Sequence, residues 1–476
     1  MDPQAEAQAK FSQLGFFVLP LPKGSEFGVD GRLWQVASFS GVKFLPSGFH
    51  LFVFSAAPSA AQQAHLPESL SSGVGVRHGI LRFFRQGDRV VEEWDNAREE
   101  LKRSTPRKVR RTAEGEKGGE REQVAVSDEY LKTLDASLAP YPEKEIAEQW
   151  ASLSGFVTEK TLSRVVGVDE QGCALVDALL GSSSDADAAG PDGGRRVWGK
   201  EREADDDDEE EPRIKEVVEE EEEDKAAPSS DLLEFVSFDV KRSWPTGAVG
   251  AELSRWSKDK SWQLSEVVRN QLDDDPKEIL AELQLSFLLF TLLHNFSSLS
   301  VYKSLFSLVC RSTTLAHPPS SRTSTGSLPS SVLDAASLPL FASFLFLFLS
   351  QVTFLEADFF TTHLPSLEKD LLDSLAVLSQ ALSDALPSWL DLGAKDPKVA
   401  EVWKEVVKRW DALAALAMEK FGWDLGVIRG SKAGYLTGAG RPQREEDEVD
   451  FEDLEEGEDA PVIVDDEGLY ARSDEY

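Results

Sequence analysis

The stretch from Asp275 to Ser312 constrains the fold most strongly, because it predicts a helix that is apolar on nearly every side. Ile279, Leu283 and Phe287 recur at four-residue spacing, and further Leu and Phe residues widen this stripe almost all the way round. A helix without a polar face must be buried, so other helices have to surround it. We therefore expect this helix to be the centre of an all-helical region.

The flanks of this helix predict where it begins and ends. Asp275 is expected to cap the first free amides, Pro276 suits the first helical position, and Glu278 can complete a capping box. A break at about 295–298 precedes a second apolar run with helical spacing. The pair is therefore expected to form an αα-hairpin.

The N-terminal sequence has a different pattern, one that is typical of strands. Residues 16–56 alternate short apolar runs with Gly and Pro, and ILRFF and RVVEEW flank a short Gly-containing loop at 86–88 that fits a hairpin. Several short strands separated by turns predict a β-sandwich. The predicted fold class is multidomain α+β: an N-terminal β-sandwich with attached helices, followed by an all-α region of stacked helices.

Composition shifts along the chain predict five segments. Residues 1–126 form the β-sandwich, with a basic, disordered insert at about 98–126, and residues 127–180 form a helical extension of it. Residues 181–230 are an acidic disordered linker, 231–440 the all-helical region, and 441–476 an acidic tail with a short β-prone segment. The basic run in the insert is open to two interpretations, a solvated loop or a patch for nuclear import or an anionic partner.

The formal net charge of −35 is concentrated in two of these segments. Residues 201–224 carry a net charge of −13 and residues 445–476 a net charge of −15, so the rest of the chain is only mildly acidic. This distribution argues against direct binding to nucleic acid, which needs clustered Lys and Arg. A basic protein surface is the expected counterpart.

One segment tests whether the chain is soluble. Leu338–Leu355 is about as long as a membrane span, but it contains Pro339 and several polar residues, and Glu356 and Asp358 follow at once. We expect a buried helix and no membrane. A membrane adaptor anchored by this segment remains a weaker alternative.

No catalytic, cofactor-binding or metal-binding residues are predicted, because the sequence lacks a phosphate loop, a nucleophile elbow and paired His on a helix turn. His50 and His294 are interpreted as structural, and Cys310 as a core residue. Cys173 and Cys310 are too isolated to indicate a disulfide framework or a zinc site. The N-terminus has no signal pattern. We expect an intracellular protein that is not an enzyme.

The candidate binding residues lie in the acidic tail. Pro461, Val462, Ile463 and Val464 form a short β-prone run between acidic residues. They could simply belong to a solvated tail. The alternative is a strand that pairs with an exposed sheet edge of a partner, with the flanking acids steering it toward a basic surface.

Four separated blocks of the sequence resemble, in the same order, the A1-cistron splicing factor family. They are PKGSEFGVDGRLWQV with GVKFLPSGFHLFVFS, then APYPEKEIAEQWASLSGFVTE, then AELQLSFLLF with SLFSLVCRS, and finally FGWDL. The resemblance implies a β-sandwich followed by a VHS-like helical region. It also implies that the tail run grips a partner, although the inserts at 98–126, 181–230 and 318–330 and the strongly acidic tail depart from the family pattern.

The function that this resemblance implies is that of a pre-mRNA splicing factor, an assembly chaperone of the U5 snRNP. It would bind the large central U5 protein at its RNase-H-like and Jab/MPN domains, delay helicase association and leave under phosphorylation control. The implied localisation is cytoplasmic with nuclear shuttling. The alternative function is an acidic chaperone in which residues 201–224 and 445–476 themselves bind basic client proteins.

Overall fold

The computed structural model describes residues 10–36, 39–55, 77–95, 100–102, 128–166, 177–181, 233–239, 242–322, 328–362 and 364–428. Cys173, the acidic stretch of the predicted linker and the acidic tail lie outside these residues. So does most of the basic insert. The described residues lie within one compact unit that extends to Gly430.

The described strands occupy the N-terminal part of the chain. They are β1 (Gly15–Val18), β2 (Glu26–Val29), β3 (Arg32–Gln35), β4 (Gly41–Leu45), β5 (Gly48–Ser55), β6 (His78–Phe84), β7 (Arg89–Val91), β8 (Glu93–Asp95), β9 (Glu100–Lys102), β10 (Leu138–Pro140) and β11 (Asp177–Gly181).

Two sheets stack to form the predicted β-sandwich. One has the strand order β10-β4-β1-β7 and the other β11-β6-β5-β2-β3, while β8 and β9 form a separate pair. Between the two large sheets, the ring of Phe17 from β1 stacks on that of Phe52 from β5, with 3.8 Å between centroids. Aromatic and β-branched residues thus fill the space between the sheets, as the strand pattern predicts.

Two local predictions in this region are wrong. The loop at 86–88 does not close a hairpin: β6 before it pairs with β5 and β11, and β7 after it pairs in parallel with β1 of the other sheet. Residues 100–102, inside the predicted disordered insert, form β9, which pairs with β8. Leu101 lies opposite Trp94 there, and both side chains are buried, so this apolar pair holds the strand in place.

The segment 127–180, expected to be a helical extension, contains helices and also strands. Its helices are α1 (Asp128–Leu134), α2 (Glu143–Ser154) and α3 (Glu159–Val166). Strand β10 pairs in parallel with β4, and β11 pairs antiparallel with β6, so this segment completes one edge of each sheet. Strand β10 has only three residues, and the five residues of β11 show no period-2 alternation, so neither strand has the expected signal in the sequence.

The rest of the described chain is helical. Its helices are α4 (Ala251–Lys258), α5 (Ser261–Gln271), α6 (Lys277–Leu293), α7 (Phe296–Cys310), α8 (Thr313–Ala316), α9 (Ser331–Phe354), α10 (Phe359–Thr362), α11 (Pro365–Lys395) and α12 (Pro397–Phe421), with a 3₁₀ turn at Pro319–Ser321.

Helix α6 is the predicted central helix, and it forms the expected αα-hairpin with α7. The Asp275 carboxylate accepts a hydrogen bond from the N–H of Lys277 at 3.0 Å, which confirms the capping role of Asp275. Asn295 caps α7 by accepting from Ser298 N–H at 2.8 Å. The predicted capping box is wrong, because the carboxylate of Glu278 does not turn back but binds Arg164 and Thr161 of the N-terminal part.

The sandwich and the helices share one hydrophobic core. Phe49, Leu51 and Val53 project from the face of β5 that is turned away from the sandwich interior, and they join the same buried cluster as the helix residues. Gly79 of β6 lies so close to α6 that a Cβ atom there would come 2.7 Å from Leu293 Cδ2. The helical array is thus packed directly on the five-stranded sheet.

Helix α9 contains most of Leu338–Leu355, the segment that is about as long as a membrane span. Among the described residues it is the one helix long and apolar enough to cross a membrane, and 56% of its most apolar window is buried. Phe341, Phe344 and Phe348 on its inner face are almost fully buried, and the helix packs against α12 and α2. Its composition is therefore also that of a core helix.

Candidate functional site

The residues predicted for strand addition, Pro461, Val462, Ile463 and Val464, lie outside the described residues. The most developed arrangement of polar side chains in the described part lies instead where the sandwich meets the helices. We call it the polar junction: Thr161 and Arg164 on α3, with Glu278, Glu282 and Gln284 on α6.

Arg164 is the centre of the polar junction. One guanidinium nitrogen donates to Glu278 Oε2 at 2.9 Å, and another donates to Glu282 Oε1. Glu278 also accepts from the hydroxyl of Thr161 at 3.2 Å. The two carboxylates are one turn apart on α6, so a planar guanidinium can bind both at once.

The electrostatics of the junction follow from its burial and from its composition of two acids and one base. Both carboxylates are almost fully buried. Burial raises the pKa of Glu282, an effect that Arg164 opposes. Burial alone lowers the pKa of Arg164, but Glu282 and Glu278 outweigh it and raise that pKa, so the guanidinium stays charged.

Gln284 adds a second connection between the two parts of the fold. Its Oε1 accepts from the backbone N–H of Phe156 at 2.8 Å, and its Nε2 donates to the carbonyl of Ser152 at 3.0 Å. These backbone groups lie at the C-terminal end of α2, where helix carbonyls have no partner within the helix. A side-chain amide can satisfy a donor and an acceptor together, which explains why Gln fits this position.

The junction also holds the segment through which the chain enters the helical array. The N–H of Val236 donates to Glu282 Oε2 at 3.0 Å, and the N–H of Glu234 donates to the carbonyl of Val165 at 2.6 Å. Gln271 of α5 exchanges two hydrogen bonds with the backbone of Ser237, at 2.9 and 2.7 Å. Residues 233–239 are thereby fixed between α3, α5 and α6.

A second buried polar cluster lies in the sandwich. Asp30 Oδ2 accepts from His50 Nδ1 and from the hydroxyl of Tyr141, each at 2.7 Å, and Asp30 Oδ1 accepts from the N–H of Leu51. His50 Nε2 lies 2.9 Å from the carbonyl of Pro46. Both ring nitrogens therefore face acceptors, which requires a protonated imidazole. Burial alone lowers the pKa of His50, but the Asp30 carboxylate outweighs it and raises the pKa.

In both clusters the polar groups are paired within the fold. The carboxylates, the imidazole and the guanidinium bind one another and backbone groups. In the part of the chain that the structure describes, no three His, Cys, Asp or Glu side chains could hold a metal ion together. His50 and His294 have structural positions, as predicted; His294 ends α6 with a left-handed backbone and pairs with Arg77 at 3.0 Å. Cys310 is buried.

Sequence reasoning missed the polar junction, although the signal was present. Glu282 and Gln284 are polar residues on a helix that is otherwise apolar all round, so they cannot face solvent and must meet partners. The partners that they find in the N-terminal part lie more than 110 residues away in the chain. The sequence alone therefore does not identify them.

Comparison with known proteins covers both parts of this fold. A family model described as the AAR2 N-terminal domain matches residues 14–167, and one described as the AAR2 C-terminal repeat region matches residues 235–426. Arg164 lies in the first match, and Glu278, Glu282 and Gln284 lie in the second.

Curated relatives named "Protein AAR2 homolog" also match this chain. The mouse protein is 27% identical and the human protein 28% identical over 315 residues, which are 66% of this chain and 73% of either relative. The Caenorhabditis elegans protein is 30% identical over 154 residues, 32% of this chain and 35% of the relative. The chain therefore belongs to the AAR2 family, the A1-cistron splicing factors, and is a splicing-related protein.

Proposed function

We propose that the protein is an assembly chaperone of the U5 snRNP that works by binding and not by catalysis. It binds the large central U5 protein at its RNase-H-like and Jab/MPN domains, delays association of the helicase and is released under phosphorylation control. It acts in the cytoplasm and shuttles to the nucleus. Family membership supports this proposal, since the family resemblance implies these partners.

The observation that carries the proposal is the polar junction together with the shared core. A chaperone that bridges two domains of one partner has to hold its own binding surfaces in a fixed relation, because a flexible connection lowers the effective concentration of the second contact. Arg164, Glu278 and Glu282 tie α3 to α6 with charge-assisted hydrogen bonds to two buried carboxylates. The sandwich and the helices can therefore present their surfaces as one rigid body.

The role as a non-enzymatic factor is supported by how the polar groups are used. The Asp30–His50–Tyr141 cluster contains residue types found in catalytic sites, but its donors and acceptors are paired with one another inside the sandwich. A buried group that is already paired cannot act on a substrate without breaking those hydrogen bonds.

The test is a salt-titrated pull-down of a fragment of the large U5 protein that contains the RNase-H-like and Jab/MPN domains. The full chain is compared with a chain that ends at Asp459, which lacks Pro461–Val464. We expect the shortened chain to bind more weakly at moderate salt, because strand addition would be lost while the folded part remains.

A matched pair of variants separates strand addition from charge. Val462→Asp with Val464→Asp disrupts the apolar run, whereas Asp465→Asn with Asp466→Asn keeps the run and removes two charges. We expect the first pair to weaken binding at all salt concentrations and the second pair only at low salt. Failure of the full chain to bind the fragment would refute the proposed function.

A further inference from the structure

We infer that the free edge of β3 is a docking site for an extended, acid-flanked apolar segment of a partner protein, which would add a strand to the five-stranded sheet. The inference rests on the geometry of the sandwich and does not depend on the proposed function. Among the described strands, β3 is the last of its sheet, and all four of its residues are exposed.

The β2–β3 hairpin fixes which backbone groups point outward. Asp30 and Gly31 both have positive φ, 53° and 85°, which is the two-residue turn that follows the natural twist of a hairpin. In such a hairpin Val29 and Arg32, which flank the turn, exchange backbone hydrogen bonds, and every second pair does the same. The N–H of Val36 does donate to the carbonyl of Ser25 at 2.7 Å, as this alternation requires.

The residues between these bonded pairs are Leu33 and Gln35. They lie opposite Gly28 and Glu26, in pairs that do not exchange hydrogen bonds. Their N–H and C=O groups therefore point away from β2, toward the free edge. No backbone partner for them exists among the described residues. Two outward donors and two outward acceptors, two residues apart, match the repeat of an added strand.

The side chains at this edge offer apolar contacts on both faces of the sheet. Leu33 is 37% exposed and Trp34 is 39% exposed, on a strand where natural proteins more often place charge. The side chain of Leu33 lies over Gly28, where a Cβ atom would come 2.5 Å from Leu33 Cδ2. Trp34 lies opposite Phe27, on the face of the sheet that is turned toward the sandwich interior. An added strand would cover both side chains.

The charges at the two ends of β3 define the chemistry of the partner. Arg32 at one end is half-exposed and is paired with Glu145 of α2 at 3.2 Å. At the other end Lys23 is exposed, next to Gly24, whose N–H donates to the carbonyl of Val36. Among the described residues Lys23 has no carboxylate partner. A carboxylate beside the apolar segment would complement the edge at Lys23, and a carboxylate at the other end could exchange with Glu145 in its exposed pair with Arg32.

The test uses a synthetic fluorescein-labelled octapeptide, Asp-Glu-Val-Thr-Val-Ile-Glu-Asp, and fluorescence anisotropy with the full chain. The main variant is Gln35→Pro, which removes an outward N–H and leaves every β2–β3 hydrogen bond in place. Gln35→Thr is the matched control, since it also changes the side chain but keeps the N–H. We expect Gln35→Pro to weaken binding about tenfold or more, and Gln35→Thr to bind like the unaltered chain.

A second measurement does not depend on how Gln35→Pro folds. Hydrogen exchange of the unaltered chain should show fast-exchanging amides at Leu33 and Gln35 that slow down with the octapeptide. An octapeptide that is N-methylated at its second valine should slow the exchange of these two amides less.

Three results would overturn the inference. The first is equal binding of the octapeptide to the Gln35→Pro and Gln35→Thr variants, or no binding up to about 1 mM. The second is protection of both amides in the free chain, since the edge would then already be covered. The third is concentration-dependent dimerisation that Gln35→Pro abolishes, since the occupant would then be a second copy of this chain.

Discussion

At the scale of single residues, Arg164 has the most consequential position in the described part of the chain. It is the cation between two buried carboxylates, and burial makes an unpaired carboxylate expensive. Its contacts join α3 to α6, so its effect reaches beyond its own helix.

We expect Arg164→Met to lower the free energy of unfolding by about 3–5 kcal/mol, because Glu278 and Glu282 would stay buried without a cation. Urea denaturation measures this. Lys160→Met is the control on the same helix: its ion pair with Asp273 is exposed, at 3.1 Å, so its loss should cost less than about 1 kcal/mol. Adding Glu278→Gln and Glu282→Gln to Arg164→Met should restore part of the stability. Equal costs for Arg164→Met and Lys160→Met would show that the junction is not stabilising.

The raised pKa of His50 predicts that the free energy of unfolding depends on pH. Its pKa is raised in the folded state, so the native protein binds a proton more tightly than the unfolded chain does. The resulting stabilisation is fully present below the unfolded pKa of about 6.5 and is lost as the pH rises through the folded pKa. Asp30, Tyr141, the carbonyl of Pro46 and the ring of Phe84 contact His50, and the buried Arg82 lies opposite it on β6.

Unfolding free energies of the unaltered chain and of His50→Gln, measured from pH 5 to pH 9, test this. The difference between the two should shrink with rising pH. The comparison is needed because burial lowers the pKa of His78 and of His317, which gives them the opposite pH dependence. A difference that stays constant with pH would contradict a protonated His50.

At the scale of elements, the close approach of β6 to α6 shows how tightly the sheet and the helices fit. Gly79 leaves room for Leu293, which is fully buried. The side chain of Leu293 has little freedom to move away, so a methyl group at position 79 would have to displace the helix or the strand.

We expect Gly79→Ala to lower the free energy of unfolding by about 1–3 kcal/mol through overpacking. A double-mutant cycle with Leu293→Ala isolates the contact. The double variant should be more stable than the sum of the two single effects predicts, because the smaller side chain at 293 makes room for the added methyl group. If the two changes in the free energy of unfolding simply add, Gly79 and Leu293 do not interact and the prediction is wrong.

At the scale of the whole molecule, charge distribution distinguishes the two candidate functions. Most of the net charge of −35 lies in residues 201–224 and 445–476, and the rest of the chain is only mildly acidic. An acidic chaperone would bind its clients through these segments, whereas a U5 assembly factor would bind mainly through its folded surfaces and its strand-forming tail.

Replacing residues 205–224 with a Gly/Ser linker of equal length separates these functions. We expect binding of the U5 protein fragment in a pull-down to persist, because the folded surfaces and Pro461–Val464 remain. Suppression of aggregation of a basic client, such as a histone, should change little if the protein is a U5 factor. Loss of both activities would favour the acidic chaperone. The unaltered chain at high salt is the control, since screening removes interactions through exposed charge.

The sequence by itself determined the local elements and the family. The apolar periodicity of α6, the cap at Asp275 and the short apolar runs bounded by Gly and Pro in the strand region are set by neighbours within a few residues, so they can be predicted from the chain order. The Asp30-Gly31 turn carries an equally local signal, which the sequence interpretation did not use. The same local patterns carried the resemblance that the family models confirm.

The tertiary structure decided how these elements meet. Contacts between distant parts of the chain determine three features. These are the partners of Arg164, the positions of the short strands β10 and β11 at the sheet edges, and the separation of β6 and β7 into different sheets. Glu278 shows the conflict directly: its local pattern predicts a capping box, but the guanidinium of Arg164 and the hydroxyl of Thr161 bind its buried carboxylate instead. A buried charge-assisted pair outweighs an exposed cap, because the buried carboxylate has no water to replace its partner.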